Sequence, residues 1–152
     1  MPLQPASTLD AHLGYWLRYV SNHVSHGFKA KVETRGVTVA EWVVMRALYD
    51  VEVGAAHVLA DQLGLTRGAV SKLIDRLVAK SLVKKRSSKN DRRYQELALT
   101  PSGRDLVPQL AALADANDEE FFDALKRQER EFLADLLKRI VQARKLKTAP
   151  ID

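Results

Sequence analysis

The 152-residue sequence contains no cysteine. Disulfides, a thiol nucleophile and a cysteine redox sensor are therefore excluded. Long apolar runs are missing as well; none approaches the roughly 18 residues that a membrane-spanning helix requires. The N-terminal stretch MPLQPASTLDAHL has neither the basic start nor the apolar run of a signal peptide. The expected compartment is the cytoplasm. There is no glycine-rich phosphate loop, no serine nucleophile elbow and no His-Glu-x-x-His zinc motif. The acids at 118–120 read as a helix surface and not as a general acid–base pair. The expectation is a protein that is not an enzyme and carries no cofactor. Internal repeats and low-complexity segments are also absent.

What is present is an ordinary globular composition, 46% apolar and 28% charged, in a chain long enough for one domain with its own core. The charge is unevenly placed. The net charge is +5, yet residues 66–93 hold ten Lys/Arg against two Asp, while the rest of the chain holds 14 basic and 17 acidic residues. A charge run usually marks a solvated face. A strong single-sign field confined to 28 residues of an otherwise slightly acidic body favours a polyanion, and no amphipathic membrane helix accompanies it.

Hydrophobic spacing predicts a mainly α fold with one small β-hairpin. Leu9, Leu13, Leu17, Val20, Val24 and Phe28 recur at helical spacing, predicting a first helix over 9–32. After a break at Gly36, Thr38 and Glu41 form a capping box that starts a second helix, about 39–50. A short third helix, 55–63, ends at Gly64, and Thr66 caps a fourth, 67–80. Residues 82–86 and 93–99 alternate as two strands around a polar tip. Thr100-Pro101 opens a fifth helix in which Pro108 predicts a kink, and residues 128–147 form a sixth.

Residues 59–77, LADQLGLTRGAVSKLIDRL, carry the functional signal. A short helix, the turn Gly64-Leu65-Thr66 and a second helix make a helix-turn-helix, whose second helix enters the DNA major groove. At 100° per residue, Val70, Leu73, Ile74, Leu77 and Val78 form the core face. Gly68, Ser71, Lys72, Asp75 and Arg76 point away from it, with Arg67 in the first turn. Gly68 admits a close backbone approach, Ser71 suits a base edge or phosphate, Lys72 and Arg67 suit guanine acceptors, and Arg76 suits a phosphate. The hairpin that follows reads as a wing. Lys84, Lys85, Arg86 and Lys89 would line phosphates, and Arg92 or Arg93 at the tip suits the minor groove.

The order helix, helix, helix-turn-helix, wing, two long helices resembles the MarR family of bacterial transcriptional regulators over about residues 9–147. The most specific residues are Asn90-Asp91-Arg92-Arg93, then Leu99-Thr100-Pro101-Ser102-Gly103, together with Ile74-Asp75-Arg76-Leu77. The resemblance implies that Asp91 braces the wing and Arg93 reaches the minor groove. It also implies a homodimer joined by the first, fifth and sixth helices. Residues 1–152 then form a single chain, with 9–32 and 101–147 as dimerisation helices and 38–100 as the DNA-binding lobe. Pro108 departs from the family pattern. The function implied is a homodimeric repressor of a pseudo-palindromic operator, relieved by an aromatic or phenolic ligand. The competing reading is a winged-helix architectural or protein-interaction module without sequence-specific readout.

The resemblance further suggests a ligand pocket between the dimerisation helices and the lobe. His12, Trp16, Tyr19 and His23 share an arc of the first helix with His26; Trp42, Met45, Arg46 and Tyr49 share a face of the second. Arg46 suits a carboxylate and the rings suit an aromatic ligand. The same spacing also fits ordinary core packing. His23 and His26 stand at i, i+3, a metal-compatible spacing that lacks an evident third ligand, so no metal is expected.

Overall fold

The structure is a computed structural model that describes residues 3–89 and 95–147. A single 3-10 turn, Leu9–Ala11, precedes α1 (Leu13–Glu33) and α2 (Val39–Tyr49). A two-residue strand β1 (Gly54–Ala55) leads into α3 (Ala56–Leu63) and α4 (Arg67–Ala79). The hairpin strands β2 (Val83–Ser87) and β3 (Gln95–Leu99) follow, then α5 (Pro101–Phe122) and α6 (Arg127–Arg144). The sheet is antiparallel in the order β1-β3-β2, with Gly54 opposite Leu97, Lys85 opposite Leu97 and Arg86 opposite Glu96.

Local chemistry sets most helix starts. Glu41 N–H donates to Thr38 Oγ1 and Thr38 N–H donates to Glu41 Oε1, both at 3.1 Å, completing the expected capping box. The hydroxyls of Thr66 and Thr100 accept from the N–H groups of Ala69 and Gly103 at 3.1 and 3.0 Å. Each cap satisfies a donor that the helix itself leaves free.

Three expectations change. The first helix does not start at Leu9: His12 is extended (φ −99°, ψ 126°) and α1 begins at Leu13. The Trp16 indole N–H donates to the Asp10 carbonyl at 2.8 Å, holding the 3-10 turn back against the helix. α6 stops at Arg144 instead of 147, because Lys145 takes a left-handed φ of 51° and Leu146 N–H turns back to the Val141 carbonyl at 3.0 Å. β1 was not anticipated at all. α5 runs without a break through Pro108.

The core joins the lobe to α5. Val44, Met45 and Leu48 of α2 are buried with Leu59 and Ala60 of α3 and with Val70, Leu73, Ile74 and Leu77 of α4. Val83, Leu97 and Leu99 close it from the sheet, Val107 and Leu110 from α5, and Val32 from the end of α1. Leu97 and Leu99 therefore share the inward strand face, as the alternation predicts. A charged clamp crosses the same region. Glu41 is fully buried, and both of its oxygens accept from Lys80 Nζ at 2.8 Å, which also donates to the Gly36 carbonyl at 2.8 Å.

The outer helices are different. α6 has no buried residue; Phe132 is 61% exposed and Ile140 48%. At the start of α1, Leu13 is 81% exposed, and Trp16, Leu17 and Val20 are about half exposed. Two amphipathic helices thus show apolar faces that this chain does not cover. Among the described residues, no helix is long and apolar enough to cross a membrane.

Candidate nucleic-acid interface

α3 ends where Gly64 turns left-handed (φ 66°, ψ 27°), a conformation that costs glycine nothing. Leu65 N–H closes the turn on the Ala60 carbonyl at 3.0 Å, and Thr66 caps α4. α4 then buries Val70, Leu73, Ile74 and Leu77. Arg67, Gly68, Ser71, Lys72, Asp75 and Arg76 are all exposed, which is the division expected from periodicity. The N-terminus of α4 adds its partial positive charge to this face.

The hairpin leaves the body directly beside α4. Strand alternation places Val83 and Lys85 on the inward side and Lys84 and Arg86 on the outer side. Two of the cations expected to line phosphates already have partners. Lys85 Nζ donates to Asp75 Oδ1 on α4 at 2.9 Å, and Arg86 Nε donates to Glu96 Oε2 on β3 at 2.7 Å. Lys84 and Lys89 are exposed. A third cation of the basic segment, Lys80, is held in the Glu41 clamp. Asp75 and Glu96 are thus parts of the surface that counting charges did not reveal. Asp91, Arg92 and Arg93 lie outside the described residues.

The hairpin is anchored at its base by the stretch Leu99–Gly103. Thr100 N–H donates to the Leu82 carbonyl at 3.0 Å, and Thr100 Oγ1 donates to the Ser81 carbonyl at 2.7 Å. The first turn of α5 lies so close to this bend that a Cβ on Gly103 would meet the Leu82 oxygen at 2.1 Å. The Thr and the Gly three residues later thus weld β3, α5 and the α4–β2 turn together.

The candidate ligand residues are more dispersed. His12 caps α1 without a side-chain hydrogen bond. Trp16 and Tyr19 are exposed, and His23 stacks on Tyr19 (5.3 Å between centroids, 27°). Trp42 packs edge-on against Phe28 at 6.4 Å. Met45 is fully buried in the core, and Arg46 pairs with Asp50 at 2.8 Å while standing over the Tyr49 ring. A cleft of about 470 Å³ lies elsewhere, between the end of α1, the start of α2 and the flank of α4. Lys29, Lys72 and Arg76 supply its cations and Val39, Leu65 and Leu73 its apolar wall. Among the described residues, no group of three or more His, Asp or Glu is placed to hold a metal.

Two short helices joined by a tight turn and followed by an antiparallel hairpin make this protein a winged helix-turn-helix protein. Residues 35–93 match the model of the MarR family. The regulator SarZ from Staphylococcus haemolyticus is 25% identical over 135 residues, covering 89% of this chain and 90% of that protein. A mutant of MarR from E. coli, solved with operator DNA, matches with a TM-score of 0.76 at 24% identity, covering 85% of this chain and 93% of that one. BpsR from Bordetella bronchiseptica, whose DNA binding is regulated by 6-hydroxynicotinic acid, matches with a TM-score of 0.78 at 25% identity over 90% and 97%. Residues 35–93 are thus similar to the MarR family, and the chain as a whole shares the winged helix-turn-helix fold of these solved structures.

Proposed function

We propose that the protein is a homodimeric repressor of a pseudo-palindromic operator, read by α4 in the major groove, and that a small aromatic anion relieves it. The observation that carries DNA readout is the outward face of α4, where Arg67, Gly68, Ser71, Lys72 and Arg76 are exposed together beside the exposed Lys84 and Lys89 of the hairpin. Thr66 holds that helix at its N-terminus through the Ala69 N–H. In this reading the family pattern assigns Asp91 to bracing the wing and Arg93 to the minor groove, with Arg92 beside it at the tip. The uncovered apolar faces of α1 and α6 support the dimer, which would set two copies of α4 about one DNA turn apart, roughly 34 Å.

For the ligand, the exposed rings of Trp16, Tyr19 and His23 and the guanidinium of Arg46 offer stacking and a carboxylate partner. His12 and Trp42 border them in sequence and on α2. The regulation of BpsR by 6-hydroxynicotinic acid, an aromatic anion, supports this class. A ligand acts only through unequal affinity for the DNA-competent and incompetent arrangements.

The test is selection from a library of random-sequence duplexes, with sequencing of what is retained across a salt series. An enriched inverted repeat and a steep loss of affinity with salt are expected. Lys72→Ala should change which bases are enriched. Uniform retention of all sequences would replace the repressor with an architectural binder, and no retention at low salt would remove DNA binding altogether.

A further inference from the structure

Asp75 is the only acid in α4, and it stands on the helix face that carries Ser71, Lys72 and Arg76. A carboxylate here repels phosphate, so its presence on a DNA-reading face calls for a reason. Its Oδ1 accepts from Lys85 Nζ at 2.9 Å. Lys85 is directed there by β-strand alternation: it sits opposite Leu97, on the inward side of the hairpin, while Lys84 and Arg86 face the other way. The pair closes a crevice of about 100 Å³ between helix and hairpin, with Ser71, Ile74 and Gln95 in its walls. Both partners are partly open to solvent, Lys85 at 37% and Asp75 at 65%. Exposed pairs of this kind are weak, so a phosphate can compete for the ammonium.

Releasing Lys85 has a condition. Asp75 must find another donor, or an unpaired carboxylate faces the groove. In the major groove, the N4 amino group of cytosine is a donor that a carboxylate accepts from. A duplex with cytosine at that point therefore frees Lys85 for phosphate; one without it leaves Lys85 engaged. Discrimination then comes from penalising the wrong sequence as well as from rewarding the right one.

We propose that Asp75 is a specificity-determining residue, which withholds the Lys85 ammonium from DNA phosphates on non-cognate duplex and releases it where a base-edge donor replaces it. This rests on the reading that α4 binds DNA. The experiment uses the full chain and two probes, the duplex most enriched in the selection and a shuffled duplex of equal length and composition. Affinity is measured by fluorescence anisotropy over a salt series for wild type, Asp75→Asn, Lys85→Met and the double variant, with thermal melting followed by circular dichroism for each.

Asp75→Asn should bind the shuffled duplex more tightly and steepen its log–log salt slope by about 0.9 per protomer, the value of one added phosphate contact. The ratio of cognate to shuffled affinity should fall. In the Lys85→Met background, Asp75→Asn should leave that slope unchanged, because no ammonium remains to be freed. A wild-type slope in Asp75→Asn, or a steepening that persists in the Lys85→Met background, overturns the proposal; the latter would mean simple repulsion by the carboxylate. A lowered melting temperature with no change of slope would make the pair a structural brace only, and would also overturn it. Failure of the wild-type chain to bind either duplex would overturn the DNA-binding reading itself.

Discussion

Gly103→Ala tests the weld between the wing and α5. A Cβ there would lie 2.1 Å from the Leu82 oxygen, 3.1 Å from the Leu82 carbon and 3.2 Å from Leu99 Cδ2. Unstrained heavy-atom contacts to carbon fall at about 3.5–4.0 Å, so one backbone segment must retreat by more than about 1 Å. The segment that moves carries the Thr100 N–H bond to Leu82 and the Thr100 hydroxyl bond to Ser81. Losing both costs about 2 kcal/mol, and the overpacking about 1–3 kcal/mol. Alanine returns about 1 kcal/mol through its better helix propensity. The net is about 2–4 kcal/mol of destabilisation. Urea unfolding at fixed protein concentration reads this as a lower midpoint at constant slope. Gly68→Ala is the control of opposite sign: nothing lies within 4 Å of its Cβ, so the same substitution in α4 should stabilise by about 0.5–1 kcal/mol. A Gly103→Ala midpoint at or above that of wild type would refute the close-approach argument.

Lys80→Met should destabilise by about 3 kcal/mol, because it strips the fully buried Glu41 of the cation that both its oxygens contact; Glu41→Gln added to it should recover part of the loss in the same urea assay. Ile140→Glu, placed on the uncovered face of α6, should convert the proposed dimer to monomer in sedimentation velocity while leaving helical circular dichroism largely intact. The hydrogen bonds from Arg130 hold the Glu119 carboxyl below the usual carboxylate value. Its stabilising contribution is present above the ordinary carboxylate pKa and is lost as the pH falls through the depressed value, so Glu119→Gln should flatten the acid limb of a melting-temperature profile. On shuffled duplex, Lys84→Met and Lys89→Met should each reduce the salt slope by about 0.9 per protomer, whereas Arg86→Met, whose charge Glu96 already compensates, should reduce it less; equal losses at all three positions would show that the ion pair opens on DNA.

The elements that were legible in the sequence are those decided locally. The capping box at Thr38 and Glu41, the Thr66 and Thr100 caps and the left-handed Gly64 each need only residues within four positions, and each helix start or stop they mark is where the chain places it. The misjudged boundaries involve bonds that periodicity does not encode. Leu9 and Leu13 continue one apolar spacing, yet the Trp16 indole takes the Asp10 carbonyl and divides them. β1 is two residues long and exists only through pairing with Leu97 and Glu96, some forty positions away. The basic surface was legible in its position but not in its accounting. Lys80, Lys85 and Arg86 find Glu41, Asp75 and Glu96, and none of these acids is a near neighbour in sequence. Met45 shows the limit of reading a helix face: it shares one with Arg46 and Trp42, yet only burial assigns it to the core.

The joins around α5 also constrain how a ligand can act. Its first turn is fixed to the α4–β2 bend through Thr100 and Gly103, and Arg104 lies over the Tyr49 ring of α2 while donating to the Tyr49 carbonyl at 3.3 Å. Farther along, the buried Asn117 donates to the Val24 carbonyl of α1 at 3.0 Å and accepts from Lys31 Nζ at 3.0 Å. α4, the wing, α5 and the middle of α1 are therefore bonded in series within one protomer. A ligand that altered the angle between α4 and α5 would have to break several of these bonds together. The faces of α1 and α6 that carry Leu13, Leu17, Phe132 and Ile140 remain exposed in the single chain. In the proposed dimer, the low-cost motion is a shift of one whole protomer against the other along those faces, and that motion changes the distance between the two recognition helices directly.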